Sequence, residues 1–88
     1  KKVALFGLGD QERYPDNFVD GIGILAEAFT KSNAELIGFM PVSDHHFTQS
    51  RAVKEGHFLG LPLDIENQSE QTEERILKWV AKLKKEFQ

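Results

Sequence analysis

Four consecutive apolar residues, Val3-Ala4-Leu5-Phe6, closed by Gly7-Leu8-Gly9-Asp10, most narrow what this chain can fold into. A strand with one wet face alternates apolar and polar residues. A run apolar on both faces reads instead as an interior strand of a parallel sheet, covered by helices on two sides. The loop from Gly7 to Asp16 is polar and contains Pro15, and Asp16 is suited to cap a helix. Phe18, Ile22, Leu25, Ala26 and Phe29 then recur at helical spacing. They predict a helix from about Asn17 to Lys31, closed by Ser32-Asn33. Ala34 to Met40, with Leu36, Ile37 and Phe39, predicts a second strand. Strand, helix and strand with short connections make a right-handed βαβ unit.

Pro41 to Gly56 is mostly polar and is expected to be irregular, long for a connection inside a compact domain. His57 to Leu63 reads as another strand, and Pro62, which cannot donate to a ladder, sets it at a sheet edge. Asp64 to Ser69 is expected as a loop. A second helix starts near Ser69 or Thr72, with Glu70, Glu73 and Glu74 near its positive end and Lys82, Lys84 and Lys85 near its negative end. Its stripe of Ile76, Trp79, Val80, Leu83 and Phe87 is expected to pack on the sheet as core.

The 88 residues suffice for one small domain, and the whole chain reads as a single unit. Hydrophobic residues are 40% and charged residues 28%, a balance that argues against disorder. No apolar stretch is long enough to cross a bilayer. Without cysteine there is no disulfide, thiolate metal site or cysteine nucleophile. A formal net charge of -3 disfavours nucleic acid and suits docking to basic partners. The start at Lys1, without a methionine, is expected of a piece of a longer protein.

In an open α/β sheet, ligands bind outside the carboxyl ends of the strands. The loop from Gly7 to Phe18 leaves such an end and feeds a helix N-terminus. Its glycines admit close backbone approach, and Tyr14 offers an aromatic face for a planar heterocycle. The same pattern also suits an aromatic lid over a core edge. A dinucleotide fingerprint is excluded, because its third glycine would fall on Glu12, where a carboxylate would face a pyrophosphate. Asp44-His45-His46 lacks a further ligand at useful spacing and reads as an ordinary loop rather than a metal site.

Ala4-Leu5-Phe6-Gly7-Leu8-Gly9-Asp10-Gln11, Tyr14-Pro15-Asp16-Asn17-Phe18 and Asp20-Gly21-Ile22-Gly23 resemble the fourth strand and flavin loop of long-chain flavodoxins. Phe47 to Ala52, Gly56-x-Phe58-x-Gly60-Leu61 and Leu63-Asp64 resemble the insertion that splits that family's fifth strand. Asn67-Gln68-Ser69, Thr72-x-Glu74-Arg75-Ile76 and Trp79-Val80-Ala81-x-Leu83 resemble its last helix. His45-His46 departs from the family's usual Gly-Tyr. The resemblance implies an α/β fold, a flavodoxin-like parallel sheet with flanking helices, of which only the C-terminal half is present.

It further implies a low-potential one-electron carrier using bound flavin mononucleotide (FMN), without substrate turnover. Leu8, Gly9 and Asp10 then lie at the flavin's pyrimidine edge. Tyr14 stacks on the outer face of the ring, and Asn17 and Val19 meet it through their backbone. Glu66 corresponds to an acidic position in a nearby loop. Carboxylates at Asp10, Glu12, Asp16 and Glu66 would oppose negative charge on the reduced ring. The phosphate-binding loop and the tryptophan-bearing loop of the family have no counterpart here. Binding of FMN by this piece alone is therefore expected to be weak or absent. Expected partners are reductases and iron–sulfur proteins in the cytoplasm, with no nucleic acid and no membrane. The first strand's open edge, Lys2 to Phe6, is expected to drive self-association. Two other readings are a non-redox interaction module on the same scaffold and a flavodoxin-like domain of a larger reductase.

Overall fold

The structure, a computed structural model, describes every residue from 1 to 88. Its elements are β1 (Lys2–Ala4), β2 (Phe6–Leu8), α1 (Asp20–Lys31), β3 (Glu35–Ile37), β4 (Met40–Pro41), β5 (Val53–Lys54), β6 (His57–Phe58), β7 (Leu61–Leu63), α2 (Ile65–Gln68) and α3 (Thr72–Glu86), with a single 3-10 turn at Ser69–Gln71.

The two first strands are one lane of chain, and it runs further than its apolar residues alone predict, past Phe6 to Leu8. β1 pairs in parallel with β3, Val3 opposite Leu36, and β2 pairs in parallel with β7, Gly7 opposite Pro62. Lys1 O accepts from Glu35 N, Leu5 O accepts from Leu61 N, and Gly9 N donates to Leu63 O. All three are odd-numbered, so β3 and β7 lie on the same side of the lane. They form one discontinuous neighbouring strand. The side facing the even-numbered backbone groups has no strand partner.

The predicted strand from Ala34 to Met40 ends early, at Ile37. Gly38 takes a left-handed φ of 81°, open to glycine at little cost, and turns the chain out of the main sheet. Its carbonyl accepts from Trp79 Nε1 at 2.8 Å, where a Cβ on Gly38 would sit 2.8 Å from the same nitrogen. The stretch from Pro41 to Gly56 is irregular for most of its length, as expected, but its two ends, Pro41 in β4 and Val53–Lys54 as β5, flank β6 in a small antiparallel sheet of order β4-β6-β5, with Met40 and Val53 both opposite Phe58. The predicted strand from His57 to Leu63 is correspondingly two, β6 in this small sheet and β7 in the main one. Leu61 and Leu63 turn their backbone toward β2. Pro62 therefore points its donor-less nitrogen to the outer edge, as its chemistry requires.

Odd-numbered side chains of the first lane meet α1. Leu5 packs with Ile22, Ala26, Phe18, Val19, Ala52 and Phe58. The even face meets α3, where Trp79 packs with Leu61, Leu63 and Ala4 and sets its ring edge to Phe6 at 6.3 Å. Helices thus cover both faces, as the doubly apolar strand demands. The covering is incomplete. Of the α3 stripe only Trp79 is buried and Leu83 half-buried, while Ile76, Val80 and Phe87 are exposed. Leu25 and Phe29 of α1 are exposed as well. Periodicity marked these faces as apolar, but this chain covers them only in part.

α1 begins at Asp20, three residues later than expected, and Asp16 does not cap it. Val19 occupies the cap position with no side-chain hydrogen bond. The helix closes as predicted, with Ser32 N donating to Phe29 O and Asn33 left-handed at φ 65°. The predicted loop from Asp64 to Ser69 is mostly α2, capped by Asp64 accepting from Asn67 N.

Candidate functional site

The chain leaves β2 at the carboxyl end of the sheet and folds back through a series of local turns. Asp10 Oδ1 accepts from the backbone N–H groups of Glu12 and Arg13 at 3.2 and 2.9 Å. Tyr14 N donates to Asp10 O at 2.9 Å. The insertion clasps the loop from behind, since Thr48 N and Gln49 N both donate to Pro15 O and Ser50 Oγ donates to Phe18 O. Phe18 is fully buried and stacks on Phe47 with centroids 5.6 Å apart. This aromatic anchor holds the loop down while Tyr14 stays out, 58% exposed.

Leu8, Gly9, Asp10, Tyr14, Asn17 and Val19 line one open hollow of about 310 Å³, together with Phe18 and the first residues of α1, Asp20 and Gly21. Six of the seven residues expected at a cofactor site therefore meet. Glu66, the seventh, does not line it; it stands exposed on α2. Gly9 has a structural role beyond ligand approach. A Cβ there would lie 2.8 Å from Val19 Cγ1 and 2.9 Å from the Phe18 ring, so the loop returns onto the strand end only over a glycine. Val19 itself holds φ 47°, ψ 34°. A β-branched residue rarely adopts this conformation, which costs about 1–3 kcal/mol. The strain sits at the rim of the hollow, where an uncapped helix start leaves backbone N–H groups free.

A second group of residues supports the loop, and the sequence reading missed it. Asp64, 1% exposed, follows β7 and accepts at Oδ2 from Gln11 N, Gln11 Nε2 and Asn67 Nδ2 at 2.9, 2.8 and 2.9 Å. Asn67 Nδ2 also donates to Asp10 Oδ1 at 2.8 Å. Gln11 Oε1 accepts from His46 N at 2.6 Å. Burial pulls the Asp64 carboxyl upward, but hydrogen bonds from Asn67 and Gln11 outweigh it and hold the group below its ordinary value. Hydrogen bonds from Arg13 N, Asn67 and Glu12 N likewise hold Asp10 below its ordinary value. One signal was legible: Asp64 stands three residues before Asn67, the spacing of an N-cap and the amide it accepts from. The inward turn of Gln11 has no local signature.

His45 and His46 do not gather a metal site, and no group of three or more potential ligands is assembled anywhere in the chain. His45 lies against Phe18 and Phe58 at 5.3 and 5.5 Å, with Nδ1 buried and unpartnered. Burial, then the Arg75 guanidinium, push its pKa down to about 4, against the pull of Asp44 and Asp64. His57 is elsewhere, its Nδ1 3.2 Å from Glu55 O. No helix is long and apolar enough to cross a membrane.

The hollow has the form of a partial site for a planar aromatic group: an exposed ring, free backbone amides and an open side. No lysine, arginine, serine or threonine lines it, so no side chain there offers a cation or a hydroxyl to a phosphate.

No family model matches the chain. It is 47% identical over 87 residues to a flavodoxin of Nostoc sp. and 49% identical over 84 residues to one of Synechocystis sp., alignments covering 99% and 96% of the chain. The chain spans about half the length of these curated relatives, 51% and 49%. A crystal structure of Fusobacterium nucleatum flavodoxin bound to flavin mononucleotide matches all of the chain with 53% of its own length, at TM-score 0.95 and 36% identity. In sequence and in fold, then, the chain is similar to flavodoxins along nearly all of its length and spans about half of theirs.

Proposed function

We propose that the chain is one portion of a single flavodoxin-like domain and supplies the ring-side wall of an FMN site in a low-potential, one-electron carrier. The observation that carries this is the exposed Tyr14 ring beside Gly9 and Asp10, in a hollow at the carboxyl end of a parallel sheet. The family likeness supports it, and the Fusobacterium relative is a flavodoxin solved with FMN. Bound FMN supplies the electron-accepting ring. The protein's part is to bind and bias that ring. Tyr14 gives it a stacking face and excludes water from one side. The backbone beside Leu8, Gly9, Asn17 and Val19 offers hydrogen bonds to its polar edge. Asp10, kept ionised by its three donors, places a fixed negative charge at the rim. That charge would disfavour added negative charge on a ring held beside it, and so lower its reduction potential. Glu66 stands outside the hollow and contributes only at longer range. We place the carrier in the cytoplasm, with reductases and iron–sulfur proteins as partners whose basic surfaces suit its acidity.

Joining this chain to the remaining half of the Nostoc flavodoxin tests the reading. The joined protein should purify yellow and titrate in two resolved one-electron steps. A colourless product, or one two-electron wave, refutes the proposal. Replacing Tyr14 by alanine in the same protein should weaken FMN binding by roughly 1–2 kcal/mol, the worth of one aromatic stacking partner.

A further inference from the structure

We propose that Gln11 is a positioning residue, which sets where the Tyr14 loop stands by bridging Asp64 and the backbone of His46. The proposal rests on the flavin reading for its consequence and on the geometry for its mechanism. The loop after β2 has few apolar anchors before Phe18, so something must fix Asp10 to Tyr14 against the sheet. Gln11 is 4% exposed, the only polar residue of the sheet–loop corner besides Asp64 to be buried. Its amide is used at both ends, donating to Asp64 Oδ2 at 2.8 Å and accepting from His46 N at 2.6 Å. Its backbone N–H donates to the same Asp64 oxygen at 2.9 Å.

One side chain thereby joins three separate pieces of chain: the loop itself, the end of β7 and the insertion. Asn67 extends the bridge to the Asp10 carboxylate, which in turn orients Arg13 N. Only a side chain with a donor and an acceptor at that length closes both contacts. A buried half-satisfied member would leave Asp64 short of donors, so the bridge works as a unit.

Gln11→Glu has the same shape, but at neutral pH it opposes a carboxylate to Asp64. Asp10, Glu12 and His46 are the other charged or titratable groups around it, with His45 behind them. Once protonated, the introduced carboxyl regains a donor for Asp64 and keeps an acceptor for His46 N. Gln11→Met has neither at any pH. The experiment measures amide protection factors by NMR in the 88-residue chain without FMN, at about pH 7 and about pH 5, alongside the wild type. In Gln11→Glu the amides of Arg13 and Tyr14 should lose protection roughly ten-fold at the higher pH and regain it at the lower, with α3 amides unchanged. Gln11→Met should lose it at both. If Gln11→Glu does not fold at neutral pH, the Met variant decides alone. Unchanged loop protection in Gln11→Met, an equal loss throughout α3, or the same acid recovery in both variants overturns the proposal. The flavin reading is checked separately in the protein joined to the remaining half of the Nostoc flavodoxin, where bound FMN should shift the amides of Gly9, Tyr14 and Asn17. Absence of those shifts counts against that reading and leaves the loop measurement to judge the bridge.

Discussion

Asp64 is nearly inaccessible and no basic side chain pairs with it; the chain's two ion pairs, Lys31–Glu27 and Lys78–Glu74, both lie on helix surfaces. Its charge is carried by neutral donors alone, four of them from Gln11 and Asn67. Truncating it orphans those donors together, so Asp64→Ala should cost about 2–4 kcal/mol, read as a fall in the urea midpoint. An unchanged midpoint would mean water replaces the carboxylate without loss. His45 makes stability depend on pH in a higher range. Its ring is held neutral between Phe18 and Phe58, with a pKa pushed down to about 4 against 6.5 for the free side chain. The unfolded chain therefore takes up a proton that the folded one refuses. Stability is complete above about pH 6.5 and falls as pH drops toward 4. Because the ring is only half-buried, the loss is on the order of 1–2 kcal/mol, roughly 5–15 °C in the thermal midpoint. Replacing His45 by phenylalanine should flatten this part of the profile. Asp10 and Asp64, both held below their ordinary values, keep their contributions until lower pH still.

Among the elements, α1 shows where helical preference and packing disagree. Gly21 and Gly23 both sit inside it, and by intrinsic propensity alanine should improve either. At Gly21 nothing lies within 4 Å of an added Cβ. At Gly23 the Cβ would stand 2.3 Å from Arg51 O, where the insertion crosses the helix and Arg51 N donates to Asp20 Oδ1 at 2.7 Å. Gly21→Ala should therefore stabilise the chain by about 0.5 kcal/mol and Gly23→Ala destabilise it by more than about 1 kcal/mol. Equal signs in thermal melts would show that the insertion yields. The same contrast explains what the sequence could tell. Helical spacing at Ile22 and Ala26, the apolar run at Val3 to Phe6 and the glutamate-to-lysine gradient from Glu73 to Lys85 are local, and they placed both long helices and the first lane. The break at Gly38, the pairing of β3 and β7 along one side of the same strand, and the small sheet around Phe58 depend on partners far along the chain. At the site, Tyr14 and its glycines were legible because composition marks an aromatic in a polar loop. Gln11 and Asp64 looked like ordinary surface residues, since only the fold buries them.

For the molecule as a whole, the open side of the first lane is the dominant unsatisfied feature. The even-numbered backbone groups of Ala4, Phe6 and Leu8 point away from β3 and β7 toward no strand, and the Phe6 and Leu8 side chains beside them are 61% and 64% exposed. Leu77 and Val80 add further exposed apolar surface on α3. A folded protein of 10.0 kDa is expected to expose roughly 5,200 Å², whereas this chain exposes 5808 Å². The excess, about 600 Å², is near what each partner buries in a weak transient interface. A paired strand edge would satisfy the lane and cover Phe6 and Leu8 at once. Lys1 and Lys2 at its start limit how closely two copies approach, which favours a weak dimer over a fibril. Sedimentation equilibrium should accordingly show a monomer–dimer exchange with a dissociation constant of about 10–100 μM, equivalent to roughly 5.5–7 kcal/mol. Phe6→Lys, which puts a charge on the edge without touching the buried odd face, should return the chain to monomer while leaving its circular dichroism intact. A compact monomer at millimolar concentration in the unaltered chain would show that the edge is satisfied by water alone, and that the uncovered faces of α1 and α3 do not bring copies together.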